Sequence, residues 1–173
     1  DRAEGQRILK ECGLPIIPFK EFSDYDSAIR FVESNRNYLV SKPSGEADKS
    51  LSYVANSQAE LAYMLGKWKK TYSRDAKAFG FILQEKKTGC EMGVGGFFGP
   101  AGWCSMWEEN FERKKLMPGD IGPNTGEQGT VMRYVRKSKL ADRLLKPLTA
   151  MLHVIGYVGC VVVNCIIDDH GET

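Results

Sequence analysis

Gly119-Asp120-Ile121-Gly122-Pro123-Asn124-Thr125-Gly126 packs three glycines, a proline, an Asp, an Asn and a Thr into eight residues. Glycine permits positive φ and close backbone approach, while proline fixes φ and brings no N–H. Asn and Asp hydrogen-bond to their own backbone, and Thr does so more weakly. The stretch therefore reads as a loop. It is either a surface turn between two strands or a loop whose successive N–H groups face an anion. What lies on either side bears on the choice.

The helical patterns are few. Arg2 to Cys12 reads as a helix with Ile8 and Leu9 inward and Gly13 just past its end. Ser23 caps a helix to about Ser34, with Ala28, Ile29, Phe31 and Val32 as its buried face. Ser57-Gln58-Ala59-Glu60 is a capping box. It opens a helix to about Lys70, with Leu61, Met64, Leu65 and Trp68 on one face. Ser138 to Ile155 is helical in pattern through Leu140, Leu144, Leu145, Leu148 and Leu152, and Pro147 should kink it. Gly156 ends it.

Strands fill the rest. Leu14 to Phe19, broken by Pro15 and Pro18, reads as an edge strand. Tyr38 to Lys42 and Leu51 to Ala55 flank the loop Pro43 to Lys49. Phe79 to Glu85, Glu91 to Phe98, Trp103 to Trp107, Thr130 to Val135 and Tyr157 to Ile167 follow. Asp168-Asp169-His170-Gly171 is a turn that begins a hairpin. Strict βαβα alternation is missing, so the chain reads as α+β. The expected layout is two sheet-and-helix lobes, roughly 38–74 and 79–173, with a cleft between them lined by Lys42 and Glu91.

Composition excludes little but is informative at the edges. A net charge of +2 gives no push toward nucleic acid or membrane. No apolar run approaches the roughly 20 residues of a spanning helix, and Asp1-Arg2-Ala3-Glu4 opens no signal peptide. Cys12, Cys90, Cys104, Cys160 and Cys165 are an odd set without C-x-x-C spacing, which argues against a disulfide framework or a zinc site. Reduced thiols and a cytoplasmic location are expected.

Several side chains have two readings each. Lys42, ending an apolar strand beside a Gly-containing loop, is a phosphate contact or a snorkelling surface lysine. Lys49 and Ser50 meet phosphate oxygens or are simply turn residues. The strand end Gln84-Glu85 offers backbone groups to a purine edge, and Glu91 then accepts from ribose hydroxyls. The alternative is a hairpin with solvated charges. Arg113-Lys114-Lys115 is an anion-binding edge or a solvated cluster. His153 is structural, and neither it nor His170 lies in a pattern for nucleophilic catalysis.

At this point the chain resembles the ATP-grasp domain of the phosphoribosylamine–glycine ligases. Gln84-Glu85-Lys86-Lys87-Thr88-Gly89-Cys90-Glu91 is similar to that family's hinge, Glu-Glu-Phe-Leu-x-Gly-Glu-Glu. Phe111-Glu112-Arg113-Lys114-Lys115 stands where it has Gln-Asp-His-Lys-Arg. Asp120-Ile121-Gly122-Pro123-Asn124-Thr125-Gly126 matches its Asp-x-Gly-Pro-Asn-Thr-Gly, and this match is the specific one. The likeness runs along nearly the whole chain in order. It implies an ATP-dependent carboxylate–amine ligase that works through an acylphosphate. It implies ATP contacts at Lys42, Lys49, Ser50, Gln84, Glu85, Lys86, Lys87 and Glu91. Lys114, Lys115, Asp120, Asn124 and Thr125 would face the amine substrate.

The resemblance also implies magnesium, held in that family by a Glu and an Asn expected beyond Thr173. The chain is accordingly read as a central fragment that does not turn over ATP by itself. Tyr157 to Ile167 is then expected to offer an open apolar edge for self-association. Two departures stand out. Lys49-Ser50-Leu51 replaces the family's Gly-Lys-Gly, and Glu127-Gln128-Gly129 replaces its Gly-Met-Gly. Glu127 sets a negative charge where a phosphate-bearing substrate would lie. The alternative reading is a nucleotide-binding or interaction module that keeps the fold without the reaction.

Overall fold

The computed structural model describes residues 2–48 and 51–173, Asp120 by its backbone alone. Lys49 and Ser50 thus lie outside the described residues. The chain divides into two compact units, one of Asp1–Ile8 and Ile16–Lys87, the other of Leu9–Pro15 and Thr88–Thr173. The division falls inside the first helix, α1 (Arg2–Glu11). Gly13 at φ 81° ends that helix, as expected, and Leu14 N–H returns to the Leu9 carbonyl at 3.0 Å. Leu9 packs in the second unit's core, whereas Ile8 is exposed, against expectation.

The first unit is a four-stranded antiparallel sheet with two helices. Its strands are β1 (Phe19–Phe22), β2 (Tyr38–Pro43), β3 (Tyr53–Val54) and β4 (Phe81–Glu85), in the order β1-β4-β2-β3. The edge strand begins at Phe19 rather than Leu14, because Pro15 and Pro18 have no N–H to give a ladder. Pro18 contributes only its carbonyl, to Glu85 N–H at 3.0 Å. Helix α2 (Tyr25–Ser34) is capped by Asp24, not Ser23. The Asp24 carboxylate accepts the Ser27 N–H at 2.8 Å.

Helix α3 (Gln58–Phe79) starts at the expected capping box, with Ser57 Oγ accepting the Glu60 N–H at 3.2 Å. The Glu60 carboxylate bonds to Asn56 N–H and the Tyr53 hydroxyl instead of closing back on Ser57. The helix runs past Lys70, bends at Tyr72 and ends where Gly80 adopts φ 71°. That glycine is why β4 begins at Phe81 and not Phe79. Tyr25, Ala28, Val32, Leu61, Leu65, Trp68, Phe81 and Leu83 form this unit's core.

The second unit is a larger antiparallel sheet of β5 (Cys90–Gly99), β6 (Gly102–Met117), β7 (Ile121–Val135) and β8 (Gly159–Ile167), in the order β7-β6-β5-β8. One face is covered by Ala141, Leu144, Leu145, Leu148 and Leu152, which pack on Val94, Phe98 and Trp107. The expected long helix over these leucines is broken. It is a π-helical turn (Ala141–Leu145), a 3₁₀ turn (Lys146–Leu148) and a short helix, α4 (Thr149–Val154). Pro147 cannot donate to the turn before it, so the expected kink becomes a change of helix type.

Two other expectations are corrected here. Strand β6 does not stop at Trp107 but continues through Arg113-Lys114-Lys115 to Met117. The Gly119–Gly126 stretch is mostly strand: a 3₁₀ turn at Pro118–Asp120 closes a hairpin, and β7 begins at Ile121. Positive φ is confined to Gly119 (72°) and Gly122 (86°), so the glycines shape the turn and one irregular strand position. All five cysteines are free, as expected. Among the described residues no helix is long and apolar enough to cross a membrane.

Candidate functional site

In the first unit the candidate residues sit on β2 and at the end of β4. Lys42 lies opposite Ile82 in the β2–β4 ladder and is half-buried. Gln84 is buried, its amide 3.4 Å from the Ile17 carbonyl. Glu85 pairs with Lys87 at 2.8 Å, and Lys86 Nζ donates to the Ala55 carbonyl at 3.1 Å. The N–H groups of Glu85 and Lys86 already donate to the Pro18 and Asn37 carbonyls. Two N–H groups at the strand end that sequence offered to a purine edge are therefore already engaged within their own unit.

In the second unit the β6–β7 hairpin gathers the other candidates. Lys115 lies opposite Asn124 in the ladder. Thr125 Oγ1 donates to the Lys114 carbonyl at 2.8 Å, and Lys115 Nζ to the Gly122 carbonyl at 3.3 Å. The Gly-Pro-Asn-Thr-Gly residues thus hold the hairpin in shape. Of Asp120 only the backbone is described, in the closing turn.

Glu91 and Lys114 are brought into direct contact. Lys114 Nζ lies 2.5 Å from Glu91 Oε2 and 2.9 Å from Glu112 Oε2. Burial pulls the Lys114 ammonium down, but its bonds to Glu91 and Glu112 more than offset this, so its pKa stands above the ordinary lysine value. An expected ribose contact and an expected amine-side contact are one ion pair.

The sheet face around that pair holds residues that sequence reasoning missed. Glu108, Asn110, Glu112 and Lys114 follow every second position of β6, and a strand puts such residues on one face. Gly93 and Gly95 of β5 lie opposite Asn110 and Glu108, and Asn164 of β8 lies opposite Gly93 from the other side. Asn110 Nδ2 donates to Glu108 Oε1 at 2.9 Å, and Asn164 Nδ2 to Glu112 Oε1 at 2.8 Å. The signal was the period of two in both strands, hidden once β6 was ended at Trp107.

The opposite face has its own buried acid. Glu109, 6% exposed, accepts from Ser138 Oγ at 2.6 Å and from Arg133 Nε and Nη2 at 3.0 and 2.7 Å. Burial pushes its carboxyl up, but these bonds more than offset that and hold it below the usual range. Ser138 in turn accepts the Ala141 N–H at 3.0 Å, so the pair anchors the start of the π-helical turn to β6.

No family model and no curated protein matches the sequence. Solved structures do. Phosphoribosylamine–glycine ligase from Thermotoga maritima matches 99% of this chain with a TM-score of 0.72 at 18% identity, over 44% of its own length. An L-amino acid ligase from Bacillus licheniformis matches 99% at a TM-score of 0.65 and 16% identity, over 38% of its length. An N5-carboxyaminoimidazole ribonucleotide synthetase in complex with ADP matches 99% at 0.63 and 16% identity, over 42% of its length. The fold is ATP-grasp.

The ATP-grasp chain described here thus spans less than half the length of these three proteins. Among its described residues no three His, Cys, Asp or Glu side chains converge as a metal cluster. Glu91 and Glu112 meet on the Lys114 ammonium, and Glu108 stands further along the same face. The magnesium that the resemblance implied is fitted to none of the described residues.

Proposed function

We propose that this chain forms the ATP-handling part of a carboxylate–amine ligase of the phosphoribosylamine–glycine ligase kind, acting in the cytoplasm in purine synthesis. The γ-phosphoryl group of ATP passes to a carboxylate oxygen, giving ADP and an acylphosphate. The amine nitrogen then attacks the carbonyl carbon, the C–O bond to phosphate breaks, and the nitrogen loses a proton. In such reactions the protein mainly positions the reactants and offsets charge.

In this reading Lys42 meets the ATP phosphates, the Gln84–Lys87 segment meets adenine, and Glu91 meets the ribose. Lys114, Lys115, Asn124 and Thr125 serve the amine side. The observation that supports it most is the ATP-grasp likeness along nearly the whole chain, with the Asp120–Gly126 match inside it.

Calorimetric titration of ATP into this chain and into Lys42→Ala tests it. A lost charge-assisted contact should weaken ATP by about 1–3 kcal/mol. Equal affinities would remove Lys42 from the phosphate site, and no ATP binding by either protein would sink the reading. A second reading, a nucleotide module without the reaction, is supported by the grip of Lys114 on Glu91. ADP formation by the natural protein, dependent on both a carboxylate and an amine, separates the two.

A further inference from the structure

Three strands of the second unit's sheet meet around one ammonium group. Glu91 comes from β5, Glu112 and Lys114 from β6, and Asn164 from β8. Lys114 Nζ lies 2.5 Å from Glu91 Oε2 and 2.9 Å from Glu112 Oε2. The two carboxylates are not equivalent. The Glu112 side chain is 11% exposed, and its other oxygen accepts from Asn164 Nδ2 at 2.8 Å. Both of its oxygens are thus engaged within the sheet. The Glu91 side chain is 37% exposed, and among the described residues its Oε1 meets no partner.

An ion pair open to water is worth little, so the more exposed half of this grip is the half that a ligand replaces. The backbone need not move for that. The Lys114 carbonyl accepts from Thr125 Oγ1 at 2.8 Å, so the strand stays fixed while the side chain changes place. Withdrawn from Glu91, the ammonium still keeps Glu112. A ribose presents two neighbouring hydroxyl donors, and a carboxylate takes one on each oxygen only when both oxygens are open. Lys114 covers one of the two on Glu91.

We propose that Lys114 sets the nucleotide's ribose specificity: it competes with the ribose hydroxyls for Glu91 Oε2 and withdraws onto Glu112 when they arrive. The inference rests on the reading of Glu91 as the ribose contact and adds the residue that controls access to it. Glu112, held by Asn164, is the positioning residue that receives the displaced ammonium.

Calorimetric titration of the 173-residue chain with ATP and with dideoxy-ATP, which lacks both ribose hydroxyls, tests it. The readout is the ratio of the two affinities, because a change of charge near the triphosphate acts on both nucleotides alike. Lys114→Met keeps the apolar stem and removes the competitor. It should raise the preference for ATP by about two- to fivefold, the scale of a part-exposed ion pair. Glu112→Gln weakens the alternative seat, holds Lys114 on Glu91, and should lower the preference by a similar factor. A purely structural role for either residue would leave the ratio where it was. An unchanged or lowered ratio in Lys114→Met overturns the proposal; should that variant fail to fold, an unchanged or raised ratio in Glu112→Gln does so. If the wild type binds neither nucleotide, the ribose reading of Glu91 falls and this inference with it. If both nucleotides bind and the ratio does not respond, this inference falls alone.

Discussion

Tyr25 shows how one buried polar group couples this fold to pH. It opens α2 and is 4% exposed, stacked on Phe81 with ring centroids 4.9 Å apart. Burial, then the charge of Asp75 and the neighbouring Tyr72, push its hydroxyl from 10.0 to about 12. The folded state therefore keeps the phenol proton at a pH where the unfolded chain has released it. Stability from this residue is complete below pH 10.0 and is lost as pH rises toward about 12. Thermal melts of wild type and Tyr25→Phe across that window should show the wild type losing Tm more steeply. Parallel slopes would mean that the hydroxyl reaches water. Other single residues were readable in advance. Ser57 and Gly13 were, because caps follow from local geometry that three or four residues specify. Asp24 was misread as Ser23, since adjacent residues both make good caps and only the chain's exit angle chooses between them.

At the scale of elements, β5 explains its own composition. Gly93-Val94-Gly95-Gly96 looks like weak strand sequence, since glycine adds flexibility and no side chain. Each glycine instead makes room for a neighbour. Gly96 lies opposite Trp107, and a Cβ there would come within 2.8 Å of the indole. Trp107 is 7% exposed and packed in the core, so the ring has little space to move. Gly96→Ala should cost about 1–3 kcal/mol by overpacking, read from denaturant midpoints. A neutral substitution would show that the Trp107 ring shifts freely. Strands of this kind were legible as strands, and the α+β class with them. The length of β6 was not, because Arg113-Lys114-Lys115 and the Gly-Pro-Asn run look like loop residues. Pairing of β6 with β7 kept both extended, an effect that overrides local preference. The polar face was lost with that boundary, since alternation is visible only when the strand is drawn to its true end.

Over the whole molecule, two cores carry the stability. Tyr25, Val32, Leu61, Leu65 and Leu83 belong to the first, and Val94, Phe98, Trp107, Leu144 and Leu145 to the second. The cores share no residue, and each closes one face of its own sheet. Leu65 and Leu145 are both fully buried. Either one changed to Ala should cost about 2–5 kcal/mol through lost burial and the cavity left behind. Since the two sites belong to different cores, the double variant should lose the sum of the single losses, to within about 0.5 kcal/mol. A single unfolding curve is a poor probe for a chain of two units. Hydrogen exchange gives each core its own reporter: the amides of β4 (Phe81–Glu85) for the first and of β5 (Cys90–Gly99) for the second. Leu65→Ala should be felt first in β4, and Leu145→Ala first in β5. A double variant far from the sum would mean that the two cores exchange strain through the backbone joining them, at Glu85 to Cys90 or at α1, and that the chain unfolds as one cooperative body.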